Sequence, residues 1–414
     1  MDNNTENKVI TESTETPAPK KKKKGKLILL IILITIFALL LGAVAYAVYT
    51  VKFHTPDTGI NEPPPFATDG LKETEDTTAP SEPEETDEPE ETQPTDPSQL
   101  PKSQQKIYNF LVVGQDRVAL NTDVIMIVNF NTTTHKINIM QIPRDTYIEL
   151  STYRGKINGL FGHYFMKNGR DKRVALRMFA ETLEQNLCIK IHNFVHINLD
   201  GVREIVDTIG GVDVNVSAPF TIYGTEGKII YLSVGLHHLD GYLAERFIRH
   251  RATYLQADIA RMDAQKIFMS ALLKKVKNSF NINTIPKLAE VVYDNTITDV
   301  SFTDGVYFAK ELLNVNLEEI NFMSMLGKST MTTFDGNGSS VYVMIRKNMV
   351  EMIDKYFNIY DFSITDSIFD TNRVFTSTKI YPHINKIYIN ENTETDDPYS
   401  ADEIIDNSID IPHK

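Results

Sequence analysis

A single cysteine, Cys188, stands among the 414 residues of this chain. One thiol cannot close an intrachain disulfide, and it cannot build a zinc site from cysteine pairs. A eukaryotic secreted domain of this size usually carries several bridges, so the scarcity fits a bacterial exterior better. Histidine offers no substitute: His163, His192, His196, His237, His238 and His250 fall at no spacing that reads as a ligand set. A basic face is missing too. The net charge of −13 is unevenly spread: His54–Leu100 holds 14 acidic residues against one lysine, Met1–Phe53 holds eight lysines against four acids, and the remainder is left at −4. A nearly neutral folded portion carries no electrostatic footprint for a nucleic-acid partner.

Charge is absent altogether from Leu27–Val51, 25 consecutive residues. At about 1.5 Å per helical residue such a run reaches roughly 37 Å, enough to cross a bilayer. Lys20–Lys24 and Lys26 precede it, and lysines flanking a span stay on the cytoplasmic side. The expectation is a single-pass cell-membrane protein: a basic cytoplasmic tail over 1–26, a transmembrane helix over 27–51, and an extracellular remainder. A cleaved signal peptide is the alternative. The run exceeds the ~7–15 residues of a signal's apolar core, although Gly42, Ala43, Ala45 and Ala47 supply small residues near its end.

Residues 52–104, rich in Pro, Thr, Glu and Asp, read as an acidic linker that its own like charges extend. From Lys106 the pattern turns globular. Ile107–Val113, Val124–Phe130 and Lys136–Ile142 are apolar runs of strand length, the last two joined by a turn at Asn131–His135. Helical periodicity follows at Ile157–Lys167 and Asp171–Leu187, then a strand at Phe194–Asn198 and a helix at Asp200–Ile209 stopped by Gly210 and Gly211. Val212–Val216 returns to strand pattern, and Leu239–Phe247 and Asp258–Asn278 are helices. Strands interleaved with helices predict a layered α/β/α domain with a mixed central sheet, after the single N-terminal transmembrane helix. The main folded domain is placed over 105–280. Residues 281–362 hold further mixed elements, either the rest of that domain or an appendage. Residues 363–414 read as a polar tail.

Several polar residues sit at places where chemistry is done. Asp116 and Asp123 lie at adjoining ends of the first two strands. Two carboxylates meeting there repel unless a proton or cation lies between them, and a hard divalent ion such as Mg²⁺ answers that need; two turn caps are the plain alternative. Arg144 and Asp145 follow Pro143, which ends the third strand. Ligands bind at that carboxyl end in open α/β sheets, though a loop ion pair would use the same residues. Arg249 and Arg251 diverge by about 200° on a helix but share a face when extended. Two guanidiniums side by side call for an anion, and a diphosphate fits. Asp258, Arg261 and Gln265, at i, i+3 and i+7, share a helix face, as a site edge or as an ordinary surface pair.

The order of these pieces is more specific than any one of them. GQD at Gly114–Asp116, the TD of Thr122–Asp123, IPRD at Ile142–Asp145, an asparagine followed by a helix, DTIGGVDV at Asp207–Val214, LDGYLA at Leu239–Ala244, RHR at Arg249–Arg251 and DxxRxxxQ at Asp258–Gln265 stand in sequence. Together, over roughly Lys106–Leu273, they resemble the LytR–CpsA–Psr family of cell-envelope proteins. The resemblance implies an α/β fold that holds a polyprenyl lipid in an apolar tunnel. The aromatic stretches Phe161–Phe165 and Met178–Phe179 are either lining for such a tunnel or plain core. The resemblance also implies transfer of a glycan phosphate from a polyprenyl diphosphate carrier to peptidoglycan, with Mg²⁺. Carried over by position, Asp116 and Asp123 take the metal and base role, Arg144, Arg249 and Arg251 the diphosphate, and Asp258, Arg261 and Gln265 support them. In the mechanism this suggests, Asp123 or Asp145 deprotonates or orients the acceptor hydroxyl. Two positions depart from the pattern. Asn121 and Ala264 stand where the family commonly has arginine, and the first loss either weakens phosphate binding or shifts it to Arg117. A lipid diphosphate phosphatase and a non-catalytic lipid or wall-polymer scaffold are the competing readings of the same site.

Overall fold

A computed structural model describes residues 54–66, 96–115, 120–216, 219–223, 229–249, 257–279, 285–317, 320–334, 337–344, 346–372 and 399–400. Leu27–Val51 lies outside them, and no helix among the described residues is long and apolar enough to cross a membrane.

The three apolar runs after Lys106 form an antiparallel meander of β1 (Ile107–Gln115), β2 (Thr122–Asn131) and β3 (Lys136–Gln141). The turn after β2 is closed by Asn131, whose side chain accepts from the Thr133 and Thr134 amides. A hairpin of β4 (Tyr147–Leu150) and β5 (Tyr153–Lys156) leads into α1 (Leu160–Lys167) and α2 (Lys172–Leu187). The helix expected from Ile157 begins as a 3-10 turn at Ile157–Gly159. Asp171 caps α2 by accepting from the Arg173 and Val174 amides, two donors that the helix itself leaves orphaned. Then come β6 (Asn193–Asn198), α3 (Leu199–Thr208), β7 (Val212–Val216), β8 (Phe220–Tyr223), β9 (Ile229–Leu232), β10 (Gly235–Leu239), α4 (Gly241–Arg249) and α5 (Ala257–Ser279). Gly210 and Gly211, at φ +78° and +77°, end α3 in a left-handed turn that other residues adopt only at a cost. The chain continues through α6 (Ile285–Asp294), β11 (Thr296–Thr298), α7 (Phe302–Leu312), β12 (Ile320–Ser324), β13 (Gly327–Phe334), β14 (Asn337–Met344), α8 (Arg346–Tyr356), α9 (Asp366–Asn372) and β15 (Tyr399–Ser400).

Seven strands make the central sheet, in the order β11-β6-β1-β2-β3-β12-β15. β1 with β6 and β3 with β12 are parallel, the other pairs antiparallel, so the sheet is mixed as expected. Alternation along each strand sends side chains to two separate cores. Leu111, Val113, Ile125, Ile127 and Met140 pack under α1, α2, α8 and α9. Tyr108, Phe110, Met126, Ile139 and Phe322 pack under α3, α4, α5 and α7. This is the α/β/α layering read from the sequence.

A ladder of four asparagines locks the register. Asn109, Asn129, Asn138 and Asn321 face one another across β1, β2, β3 and β12. Asn129 Nδ2 donates to Asn109 at 2.8 Å, Asn138 to Asn129 at 3.1 Å and Asn321 to Asn138 at 2.9 Å. Asn109 spends its own amide on the Lys190 and Phe357 carbonyls. A slip of one residue in any strand would bury these amides without partners, which is why the pairing is strongly specified.

Two stretches assigned from composition to unstructured parts turn out to pack. Within the acidic linker region, Tyr108 Oη donates to the Pro56 carbonyl at 2.8 Å and His192 Nε2 binds the Thr58 carbonyl at 2.7 Å. Lys190 pairs with Glu62 at 2.9 Å, and Phe66 is buried edge-on to Tyr360. Beyond residue 362, Ile364, Ile368 and Phe369 are buried in the core beneath α2, and Tyr399–Ser400 pairs with β12. A few well-spaced apolar residues suffice for docking, and composition averages them away. β12 sits inside the central sheet, so the region after 281 completes the domain rather than forming an appendage.

Candidate functional site

The parallel strands β1 and β6 end side by side at Gln115 and Asn198, and β2 begins at the same edge. Here the β1–β2 register shifts: Gly114 faces Val124 but Gln115 faces Thr122. Asp123 is the extra residue of a β-bulge, a device that re-aims a side chain at a sheet's rim. A cavity of about 360 Å³ opens between this edge and α3, α4 and α5, within the size range of small-molecule sites. Val112, Val124, Met126, Ile197, Leu199, Val202, Ile248, Phe268 and Met269 give it apolar walls; Gln115, Asp123, Asn198, Arg249 and Gln265 supply its polar groups.

Each polar group is held from behind. Arg144 Nη1 reaches Asp123 Oδ1 at 2.6 Å, with both side chains only partly exposed. Asp145 Oδ1 lies 3.2 Å from Lys156 Nζ and 4.0 Å from Arg144 Nε. The loop bearing them is fixed by its backbone: Asn158 N–H donates to the Arg144 carbonyl, Tyr342 N–H to the Asp145 carbonyl, and Thr146 N–H and Oγ1 to the Pro143 carbonyl. Gln265 accepts from Gln141 Nε2 at 2.6 Å and donates to the Ile248 carbonyl at 3.3 Å, tying α5 to β3 and α4. Asn198 caps α3 through the Gly201 amide. Gln115 Oε1 lies 2.9 Å from His196 Nε2. Burial holds the His196 imidazole at about 4, well below its ordinary value, so at neutral pH it is an uncharged prop. Arg249, the last residue of α4, bonds Glu245 Oε1 at 3.1 Å.

Five of the ten residues singled out from sequence have described side chains, and the fold gathers them. Asp123, Arg249 and Gln265 line one cavity; Arg144 is bound to Asp123, and Asp145 adjoins Arg144. Asp116, Arg117 and Arg251 lie outside the described residues. Asp258 and Arg261 fall in α5 as expected, with side chains outside the description. One expectation changes: Arg249 belongs to helix α4 rather than to an extended segment, because Glu245 and Arg249 face each other one turn apart. The aromatic stretches Phe161–Phe165 and Met178–Phe179 are core, not cavity lining, and pack under the opposite face of the sheet. Of the two departures from the family pattern, Asn121 is exposed and Ala264 fully buried. Sequence reasoning missed Glu245, Gln141 and Lys156. Gln141 and Lys156 have partners 124 and 11 residues away that no local pattern marks; Glu245 stands four residues before Arg249, a spacing that marks a surface pair as readily as a buried one. Among the described residues no three His, Cys, Asp or Glu side chains cluster as a metal site.

The LytR_cpsA_psr family model matches residues 70–358, and the chain belongs to that family. Among curated relatives, the polyisoprenyl-teichoic acid–peptidoglycan teichoic acid transferase TagV of Bacillus subtilis (strain 168) is 26% identical over 268 residues, covering 61% of this chain and 66% of that protein. The transferase TagU of Bacillus mycoides (strain KBAB4) is 28% identical over 223 residues, covering 53% and 69%. The matches thus span about two thirds of each relative's length. The fold is shared with the crystal structure of B. subtilis TagV (TM-score 0.53, 24% identity, 62% of this chain and 98% of that one). It is shared too with Streptococcus agalactiae protein gbs0355 (TM-score 0.54, 21% identity, 66% and 94%).

Proposed function

We propose that the chain is a membrane-anchored extracytoplasmic transferase that moves a glycan phosphate from a polyprenyl diphosphate carrier to peptidoglycan, with Mg²⁺. The observation that carries this reading is a cavity with apolar walls and a charged rim, on a member of a family whose curated relatives are named as teichoic acid transferases. Residues 27–51 anchor the chain and hold the domain outside, where the donor arrives already activated in the membrane.

In this reading the apolar walls take the prenyl chain, and Arg249 and Arg144 bind the diphosphate oxygens at the rim. Asp123 or Asp145 accepts the proton of a peptidoglycan hydroxyl. The hydroxyl oxygen bonds to the glycan-bearing phosphorus, the bond from that phosphorus to the bridging oxygen breaks, and polyprenyl phosphate departs with the electron pair. Such a transfer needs alignment and charge neutralisation more than covalent help. Substrate phosphate would draw Arg144 from its present bond to Asp123, freeing the carboxylate as base. Asp123, which lines the cavity, and Asp116 would hold Mg²⁺, an ion that takes one or two carboxylates alongside substrate phosphate. When bound, it supplies further neutralisation of the diphosphate.

The test uses purified full-length protein in detergent with a polyprenyl diphosphate oligosaccharide, peptidoglycan fragments and Mg²⁺. Release of polyprenyl phosphate that requires the acceptor and falls in Arg144→Ala supports the proposal. Release without acceptor identifies a phosphatase. Tight binding with no turnover and no Mg²⁺ requirement identifies a scaffold.

A further inference from the structure

Glu245 carries a carboxylate to a place no water reaches: its side chain is 0% exposed. It sits on α4 between two guanidiniums. Oε1 holds Arg249 Nη1 at 3.1 Å, one turn along the same helix, and Oε2 holds Arg203 Nη2 on α3. Arg203 in turn stacks over the Tyr242 ring at 5.2 Å. α3 and α4 meet closely because Gly241 has no side chain; a Cβ there would collide with the Arg203 carbonyl. These two helices form one wall of the cavity, through Val202 on one side and Ile248 and Arg249 on the other.

Stability alone does not explain such an arrangement. Burying a carboxylate is costly, and a well-packed apolar residue of similar volume usually serves a core at least as well. What the ion provides is direction. Arg249 is a long side chain, 42% exposed at the rim, and a fixed partner at its Nη1 limits where its guanidinium can go. We propose that Glu245 is a positioning residue: it aims Arg249 at the cavity rim and ties α3 to α4, so that the arginine meets the carrier's diphosphate already oriented. This rests on the function proposed above.

The experiment measures binding of geranylgeranyl diphosphate to full-length protein in detergent with Mg²⁺, for wild type, Arg249→Ala, Glu245→Leu, Glu245→Gln and the double variant Arg249→Ala/Glu245→Leu. Arg249→Ala should weaken binding about thirtyfold, because a charge-assisted hydrogen bond to the diphosphate is removed. Glu245→Leu should weaken it about tenfold, because the same bond is misaligned. Glu245→Gln, which keeps an acceptor, should lose less. The double variant should bind no more weakly than Arg249→Ala alone, since Glu245 acts through that arginine. Glu245→Leu should melt lower than wild type, because it leaves Arg203 and Arg249 without their shared carboxylate, so binding is compared well below its melting midpoint. Wild-type binding by Glu245→Leu, or losses that multiply in the double variant, overturn the inference and leave the proposed function standing. Wild-type binding by Arg249→Ala overturns the rim as a diphosphate site. Should Glu245→Leu fail to fold, Glu245→Gln and its double with Arg249→Ala supply the same comparison.

Discussion

On one face of the central sheet Leu111, Val113, Ile125, Ile127 and Met140 are 0% exposed beneath four helices. On the other face Val112, Val124 and Met126, one residue away on the same strands, border a cavity. The closed face is filled by rings, among them Phe161, Phe179, Phe357 and Phe369, and its asparagine ladder sets the register of four strands. The open face has Gly114 and valines at its site end, and there α3 and α4 are joined through the ions of Glu245 as well as by apolar packing on the sheet. One layer therefore supplies rigidity and the other supplies room. Because the closed face fixes the register, the bulge at Asp123 and the loop at Arg144 arrive at the rim of the open face.

This contrast can be broken or sharpened by experiment. The largest effect is expected on the closed side: Phe179→Ala should destabilise the fold by about 3–5 kcal/mol, whereas Phe268→Ala, in the cavity wall, should cost only about 2 kcal/mol. Equal losses in chemical denaturation would erase the distinction between the faces. Acid should also act through the closed side, where His196 stacks on Phe161. Its folded value of about 4 lies below its ordinary value of 6.5, so the unfolded chain binds the proton more readily between the two. The contribution is full above pH 6.5 and is lost as pH falls toward 4, by up to ~3 kcal/mol. His196→Gln should flatten that part of the stability–pH curve in urea titrations.

On the open side, Arg144→Ala should lower turnover about a hundredfold, a typical loss for a group that neutralises transition-state charge, with little change in melting temperature. A matching fall in melting temperature would mean that Arg144 serves the fold. Asn129→Leu should cost ~2 kcal/mol, because it takes a hydrogen-bond partner from both the Asn109 side-chain carbonyl and the Asn138 amide, while ligand binding by the folded fraction stays unchanged. Among the buried positions the smallest loss is expected from Met126→Phe, ~1 kcal/mol. It should weaken binding of long prenyl diphosphates but not of inorganic pyrophosphate, since only the apolar wall has moved inward.

The layered fold was legible because apolar runs of strand length in β1–β3 and the helical period in α2 are local signals. Asp123, Arg144, Arg249 and Gln265 were legible as a group because their spacing resembles a known family. Glu245 was not, since a glutamate on a helix reads as a solvated surface group until Arg203 from another helix covers it. The docking of Pro56–Phe66 and of Ile364–Phe369 was hidden too, because a handful of apolar contacts is invisible within an acidic or polar average.

The amino-acid order by itself determined which segments become strands and helices, which faces turn inward, and which charged residue types are on offer, since all of these follow from periodicity and local chemistry. Only the tertiary structure decided that one face of the sheet closes and the other keeps a cavity, and which arginine meets which carboxylate. Those outcomes depend on register and helix contact between residues far apart in the chain, where a one-residue shift exchanges inside for outside.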